Sequence, residues 1–118
     1  MKTVLVVEDT ADLREAYMAV IGREGYRVIG AENGQRALDI LQSGDDKPCL
    51  IVLDWMMPVM DGQTFLARLR KTRFASLPIV IVSAYEAEDA GENIRTVVKK
   101  PISYATLTHV VREYCGDA

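Results

Sequence analysis

Asp54 closes an unbroken apolar run, Leu50-Ile51-Val52-Leu53, and is followed at once by Trp55-Met56-Met57-Pro58-Val59-Met60-Asp61-Gly62. Three other apolar runs also end in reactive side chains. Val4-Leu5-Val6-Val7 leads into Glu8-Asp9, Ile79-Val80-Ile81-Val82 into Ser83-Ala84, and Val97-Val98 into Lys99-Lys100-Pro101. A polar residue that closes a buried strand faces whatever lies beyond the strand's carboxyl end. In an open α/β sheet that edge is where ligands bind. Three carboxylates, a hydroxyl and an amine are thereby delivered to one rim. Two unit charges about 4 Å apart repel by roughly 4 kcal/mol at an effective dielectric of about 20. Holding Glu8, Asp9 and Asp54 together therefore requires a compensating cation or raised pKa values. Oxygen-only ligands suit Mg²⁺ better than zinc, which wants His or Cys.

Elimination narrows the chemistry. The only histidine, His109, lies beside Val110 and Val111 and reads as a surface or boundary residue. No Ser–His or Cys–His pairing is in reach, which excludes triad chemistry. Neither GxxxxGK[ST] nor GxGxxG is present, so direct nucleotide binding has no visible cradle. What remains is a carboxylate nucleophile able to accept a phosphoryl group as an aspartyl phosphate. In such a reaction Asp54 attacks phosphorus. Asp9, with Glu8 behind it or through water, holds Mg²⁺, whose charge neutralises the oxygens of the transferring group. The Lys100 ammonium pairs with one phosphate oxygen, and the Ser83 hydroxyl donates to another. A cis Lys100-Pro101 bond is one way to aim the lysine inward, while strand alternation sends Lys99 to the opposite face. Each residue alone has a plainer reading: Asp9 as a helix cap, Pro58 and Gly62 as turn residues. The ordered set at four strand ends outweighs them.

The elements that position these residues follow from size and periodicity. A chain of 118 residues, 49% of them hydrophobic, reads as one domain over 1–118 with a single good core. The net charge of −3 and the lack of a basic run argue against nucleic acid as the primary ligand. No apolar stretch approaches the roughly 20 residues that span a bilayer. The start is too short in apolar residues for a signal peptide, and reads as a true N-terminus. Cys49 and Cys115, far apart and without CxxC spacing, read as buried free thiols rather than a disulfide or metal pair. All of this fits the cytoplasm.

Strands are predicted near 3–7, 26–31, 49–53, 78–82 and 94–98. Leu13, Ala16, Tyr17, Val20 and Ile21 mark the buried face of a first helix. Ala37, Leu38 and Leu41 mark a second, starting after Asn33-Gly34; Phe65, Leu66 and Leu69 mark a third. Leu107, Val110, Val111 and Tyr114 mark the last. Runs 4–7, 50–53 and 79–82 are continuous rather than alternating, so both their faces must be covered, as in a parallel sheet between helices. The expected fold is a flavodoxin-like, doubly wound five-stranded parallel sheet in the order 2-1-3-4-5. Its fourth helix is expected to be shortened to one or two turns and mobile. Between Ser83 and the last strand lie Gly91, four acids and no large aliphatic residue, so a helix there has little to bury.

Glu8-Asp9, Asp54 with its Trp-Met-Met-Pro-Val-Met-Asp-Gly tail, Ser83-Ala84 and Lys100-Pro101 together resemble the receiver domain of two-component response regulators. The resemblance covers essentially the whole chain. It implies that Asp54 is phosphorylated from a phosphohistidine on a sensor histidine kinase or phosphotransfer protein. It also implies that Glu8, Asp9, Asp54 and the backbone carbonyl of Met56 hold Mg²⁺, that Ser83 and Lys100 follow the phosphate, and that output passes through protein contacts. Two features depart from the family pattern. Val97 stands where many receivers carry an aromatic switch residue, and the segment after Ser83 is short. Met56 and Tyr85 resemble positions that tune dephosphorylation, and their bulk predicts slow self-dephosphorylation. Two other readings compete: a domain of the same fold that is never phosphorylated, and an Mg²⁺-dependent phosphatase working through Asp54. The phosphatase would need a second acid where Met56 stands.

Overall fold

The computed structural model describes residues 2–44, 47–84 and 93–118. Five strands, β1 (Thr3–Val7), β2 (Arg27–Ala31), β3 (Leu50–Asp54), β4 (Ile79–Ser83) and β5 (Ile94–Lys99), form one parallel sheet in the order β2-β1-β3-β4-β5. The described residues also form four helices, α1 (Ala11–Arg23), α2 (Gly34–Ser43), α3 (Gly62–Leu69) and α4 (Tyr104–Cys115). This is the doubly wound sandwich that the apolar runs predict. The expected short helix between β4 and β5 falls on 85–92, outside the described residues.

The continuous runs are explained by two cores, one on each face of the sheet. Leu5, Val7, Ile51, Leu53, Ile79 and Ile81 face α2 and α3 and pack on Phe65, Leu66 and Leu69. Their strand neighbours Val4, Val6, Leu50, Val52, Val80 and Val82 face α1 and α4 and pack on Tyr17, Ile21, Leu107 and Val111. Period-2 alternation thus survives, with both phases apolar. At the edge the pattern changes: β5 alternates half-buried and exposed residues, and Val97 is 40% exposed.

Local chemistry sets the helix starts. The side chains of Asn33, Asp61 and Ser103 accept hydrogen bonds from the N–H groups of Arg36, Thr64 and Thr106, capping α2, α3 and α4. The α2 cap corrects the predicted start, because Gly34 is already helical. Helix α1 has Thr10 at its cap position with no side-chain bond, so Asp9 is left to the rim rather than spent on capping. Leu13, predicted to be core, is 37% exposed. Periodicity identifies the buried stripe but does not say where the stripe runs off the sheet.

The cysteine reading is overturned. Cys49 and Cys115 form a disulfide with Cα atoms 5.4 Å apart. Cys49 immediately precedes β3 and Cys115 ends α4, so both lie at the foot of the sheet, opposite the acidic rim. Sixty-six residues of sequence separation conceal that proximity.

Candidate functional site

Strand β1 lies between β2 and β3, so the crossover from β1 to β2 and those from β3 to β4 and β5 diverge at its carboxyl end. Such a divergence opens a crevice beyond the strand ends. Glu8, Asp9 and Asp54 meet there, with one carboxylate oxygen from each within 4.8 Å of the others. Glu8 and Asp54 are buried and Asp9 is half-buried. The Lys100 Nζ lies 2.8 Å from Glu8 Oε1 and 3.3 Å from Asp54 Oδ1. The chain delivers this lysine because the Lys100 N–H donates to the Ser83 carbonyl at 2.9 Å, extending the β4–β5 ladder, and the Lys100-Pro101 bond is cis. Lys99 is exposed on the last residue of β5. Ser83 ends β4, buried, in register with Lys99.

The loop after β3 is built from alternating anchors. Met57 and Met60 are buried, while Met56 is 60% and Val59 82% exposed. The Met60 N–H donates to the Pro58 carbonyl at 2.7 Å across Val59, whose φ is +67°. This is a γ-turn with a β-branched residue at its centre. Gly62 closes the loop. Its N–H donates to the Trp55 carbonyl, and a Cβ there would lie 2.5 Å from the Trp55 ring and 3.0 Å from its Cα. The loop therefore turns back directly over Asp54, and the Met56 N–H approaches Asp54 Oδ1 at 3.4 Å.

The electrostatics follow from crowding. Burial first, then the Glu8 and Asp9 carboxyls, push the Asp54 carboxyl up to about 7 against the pull of Lys100. Burial also pushes Asp9 up, but its contacts with Glu8, Asp54, its own backbone and Lys100 outweigh that and hold it below the usual carboxylate range. Lys100 is raised: burial lowers it, and the bonds and charges of Glu8 and Asp54 more than compensate. Asp54 Oδ2 is buried with no hydrogen-bond partner among the described residues. An orphaned carboxylate oxygen beside two further acids is a donor set that fits a hard divalent cation.

A family model for the response regulator receiver domain matches residues 4–112. The chain belongs to this family. It is 28% identical over 98% of the length of the polar-differentiation response regulator DivK of Brucella anthropi, with 99% of this chain covered. It is 37% identical to the phosphate regulon transcriptional regulatory protein PhoB of Pseudomonas aeruginosa, over 75% of this chain but 38% of that protein. Against the sensor kinase CckA of Brucella abortus, at 34% identity, it covers 94% of itself and 12% of the kinase. The chain thus spans a minor part of PhoB and CckA. Among solved structures, the response regulator TrrA of Thermotoga maritima, in complex with Mg²⁺ and BeF, superposes with a TM-score of 0.81 at 29% identity. That match covers 97% of this chain and 99% of that one. A Francisella response regulator receiver domain gives 0.83 at 26% identity, over 97% of this chain and 96% of that one.

The receiver's predicted rim residues Glu8, Asp9, Asp54, Ser83 and Lys100 all lie at or next to the carboxyl ends of β1, β3, β4 and β5. Tyr85 lies outside the described residues. Arg14 has no signal in the periodicity, yet its Nη1 donates to the Glu8 carbonyl at 2.9 Å. A charged residue between Leu13 and Glu15 reads as solvated surface, and only the fold reveals its partner.

Proposed function

We propose that residues 1–118 act as a single phosphorylation-controlled receiver whose phosphoacceptor is Asp54. The observation that carries this reading is the buried Asp54 carboxylate, with one oxygen 3.3 Å from Lys100 Nζ and the other unpartnered beside Glu8 and Asp9. The donor is a phosphohistidine on a sensor histidine kinase or phosphotransfer protein. An Asp54 oxygen attacks phosphorus, an O–P bond forms as the donor's P–N bond breaks, and the ring, already protonated on its other nitrogen, leaves as neutral imidazole. Lys100 shifts from Glu8 toward a phosphoryl oxygen, and the Ser83 hydroxyl donates to another. Glu8, Asp9, Asp54 and the Met56 carbonyl would hold Mg²⁺, which when bound supplies positive charge against the equatorial oxygens. The Mg²⁺ and BeF complex of TrrA, matched over nearly its full length, supports this assignment.

Catalysis extends only to the protein's own phosphorylation and dephosphorylation. The phosphorylated state is read by another protein through a shift between conformations that the aspartyl phosphate stabilises unequally. Val97 offers no ring for a hydroxyl-to-aromatic relay, so the shift must run through other contacts. Incubation with acetyl phosphate and Mg²⁺ tests the reading by intact mass. Addition of one phosphoryl group is expected in the wild type and none in Asp54→Asn. An unchanged wild-type mass would favour the silent domain, and steady release of phosphate from many monoesters the phosphatase.

A further inference from the structure

We infer that Arg14 is a positioning residue for the acidic site, fixing the Glu8–Asp9 peptide and through it the point from which the Asp9 carboxylate enters the site. The inference deepens the reading of Glu8, Asp9 and Asp54 as a cation site and rests on it. Glu8 is held along its backbone and at its side chain, where Oε2 also accepts from the Thr10 N–H at 3.3 Å. The Glu8 N–H donates to the Ala31 carbonyl at 3.0 Å, its carboxylate takes Lys100, and its carbonyl accepts from Arg14 Nη1 at 2.9 Å. The last contact matters most for Asp9. The Glu8 carbonyl and the Asp9 N–H and Cα share one plane, so pinning the carbonyl fixes where the Asp9 Cα sits and the N–Cα axis about which its side chain turns. Glu8 itself already has its amide and side chain anchored, whereas Asp9 contributes no strand pairing. Its carboxylate meets Glu8 and Asp54, but its backbone position is set through the Glu8 carbonyl.

The sheet makes room for the arginine that holds this carbonyl. Gly30, on β2 next to Ala31, has no side chain; a Cβ there would lie 3.3 Å from Arg14 Cδ and 2.6 Å from Met18 Sδ. The Arg14 stem thus lies half-buried on the β2 backbone, although Leu13 and Glu15 on either side are exposed. The same strand takes the Glu8 N–H through Ala31 and supports the arginine that takes the Glu8 carbonyl. A planar guanidinium retains its geometry at such a site, whereas a lysine keeps the charge but loses the rigid fork. Outer partners that orient metal ligands typically change metal affinity by about 10- to 100-fold when removed.

The test compares wild type, Arg14→Met and Arg14→Lys in the full chain. In the metal-free protein, amide hydrogen exchange at Thr10, whose N–H donates to Glu8 Oε2 at 3.3 Å, is expected to accelerate in R14M, with β3 and α4 amides unchanged. In a Mg²⁺ titration followed by Trp55 fluorescence, R14M is expected to bind about tenfold more weakly, with R14K between it and wild type. A merely structural arginine would lower the urea midpoint and leave the Mg²⁺ affinity of the folded protein unchanged; that result overturns the inference. If R14M does not fold, wild-type affinity in R14K overturns it equally. A wild type that ignores Mg²⁺ sinks the reading of the site and this inference together. A responsive wild type with unchanged R14M sinks the inference alone.

Discussion

At the residue scale, the proposed cation would have to compete with a proton for Asp54. Its carboxyl, ordinarily near 3.8, is pushed up to about 7 by burial and by its acidic neighbours. A group whose folded pKa is raised contributes stability that is complete below the unfolded value and is lost as pH rises through the folded one. Without metal, the wild type should therefore lose stability relative to Asp54→Asn between about pH 4 and pH 7. Urea denaturation of both proteins at either end of that window measures it, and parallel midpoints would refute the shift. The companion expectation is that Mg²⁺ affinity falls as pH drops below 7, because the proton then occupies Asp54. Lys100 is raised from 10.5 and stays charged throughout this range, so it does not blur the comparison. Val59 offers a different residue-scale test. A β-branched side chain at φ +67° is strained by roughly 1–2 kcal/mol, and at 82% exposure it buries little in return. Val59→Gly gives back part of that relief through unfolded-chain entropy, and should still stabilise by about 0.5 kcal/mol in urea melts. A net loss would mean that the Val59 side chain packs better than its exposure indicates.

At the element scale, the strands were legible and the loops were not. Val4–Val7, Leu50–Leu53 and Ile79–Val82 are apolar in both alternation phases, and only a doubly covered parallel strand needs that; all three are central strands. The site was legible for the same reason, since a strand that ends in a charge announces the rim. Arg14 was invisible because its partner is a backbone carbonyl, which every residue carries. The cysteine pair was invisible because it joins the foot of one strand to the end of a helix half the chain away. Gly62 lies between these cases. The Asp-Gly pair signals a turn, but only the packing shows that a Cβ would meet both the ring and the Cα of Trp55. Backbone cannot swing aside like a flexible side chain, so Gly62→Ala must shift the whole β3–α3 loop. Such overpacking typically costs about 1–3 kcal/mol. Because the loop also carries the Met56 carbonyl, proposed above as a Mg²⁺ ligand, the Trp55 emission and its response to Mg²⁺ should change together. A variant with wild-type fluorescence and wild-type titration would contradict this account of the loop.

At the scale of the whole molecule, the disulfide encloses β3, α3, β4, β5 and α4 in one covalent loop. Closing a loop of 66 residues restricts the unfolded chain, which the chain-entropy view values at about 4 kcal/mol. Whether the native fold also depends on the bond is a separate question, and the neighbouring contacts answer it. Lys2 Nζ donates to the Cys115 carbonyl, the Tyr26 hydroxyl donates to the Gly116 carbonyl, and Arg112 pairs with Glu24 at 3.3 Å. These tie the end of α4 to the segments that lead into β1 and β2, independently of the sulfurs. A reducing compartment would keep the pair open, and because none of these ties runs through a sulfur, the fold is expected to survive in that state. Reduction should therefore leave the Mg²⁺ response and native fluorescence unchanged while lowering the unfolding free energy by up to about 4 kcal/mol. Cys49→Ser should match the reduced wild type and be indifferent to reductant. Alkylation of both cysteines in protein purified without reductant would show that the bond does not form. A collapse of the Mg²⁺ response on reduction would show that the foot of the sheet controls the rim, contrary to the independence argued from these contacts.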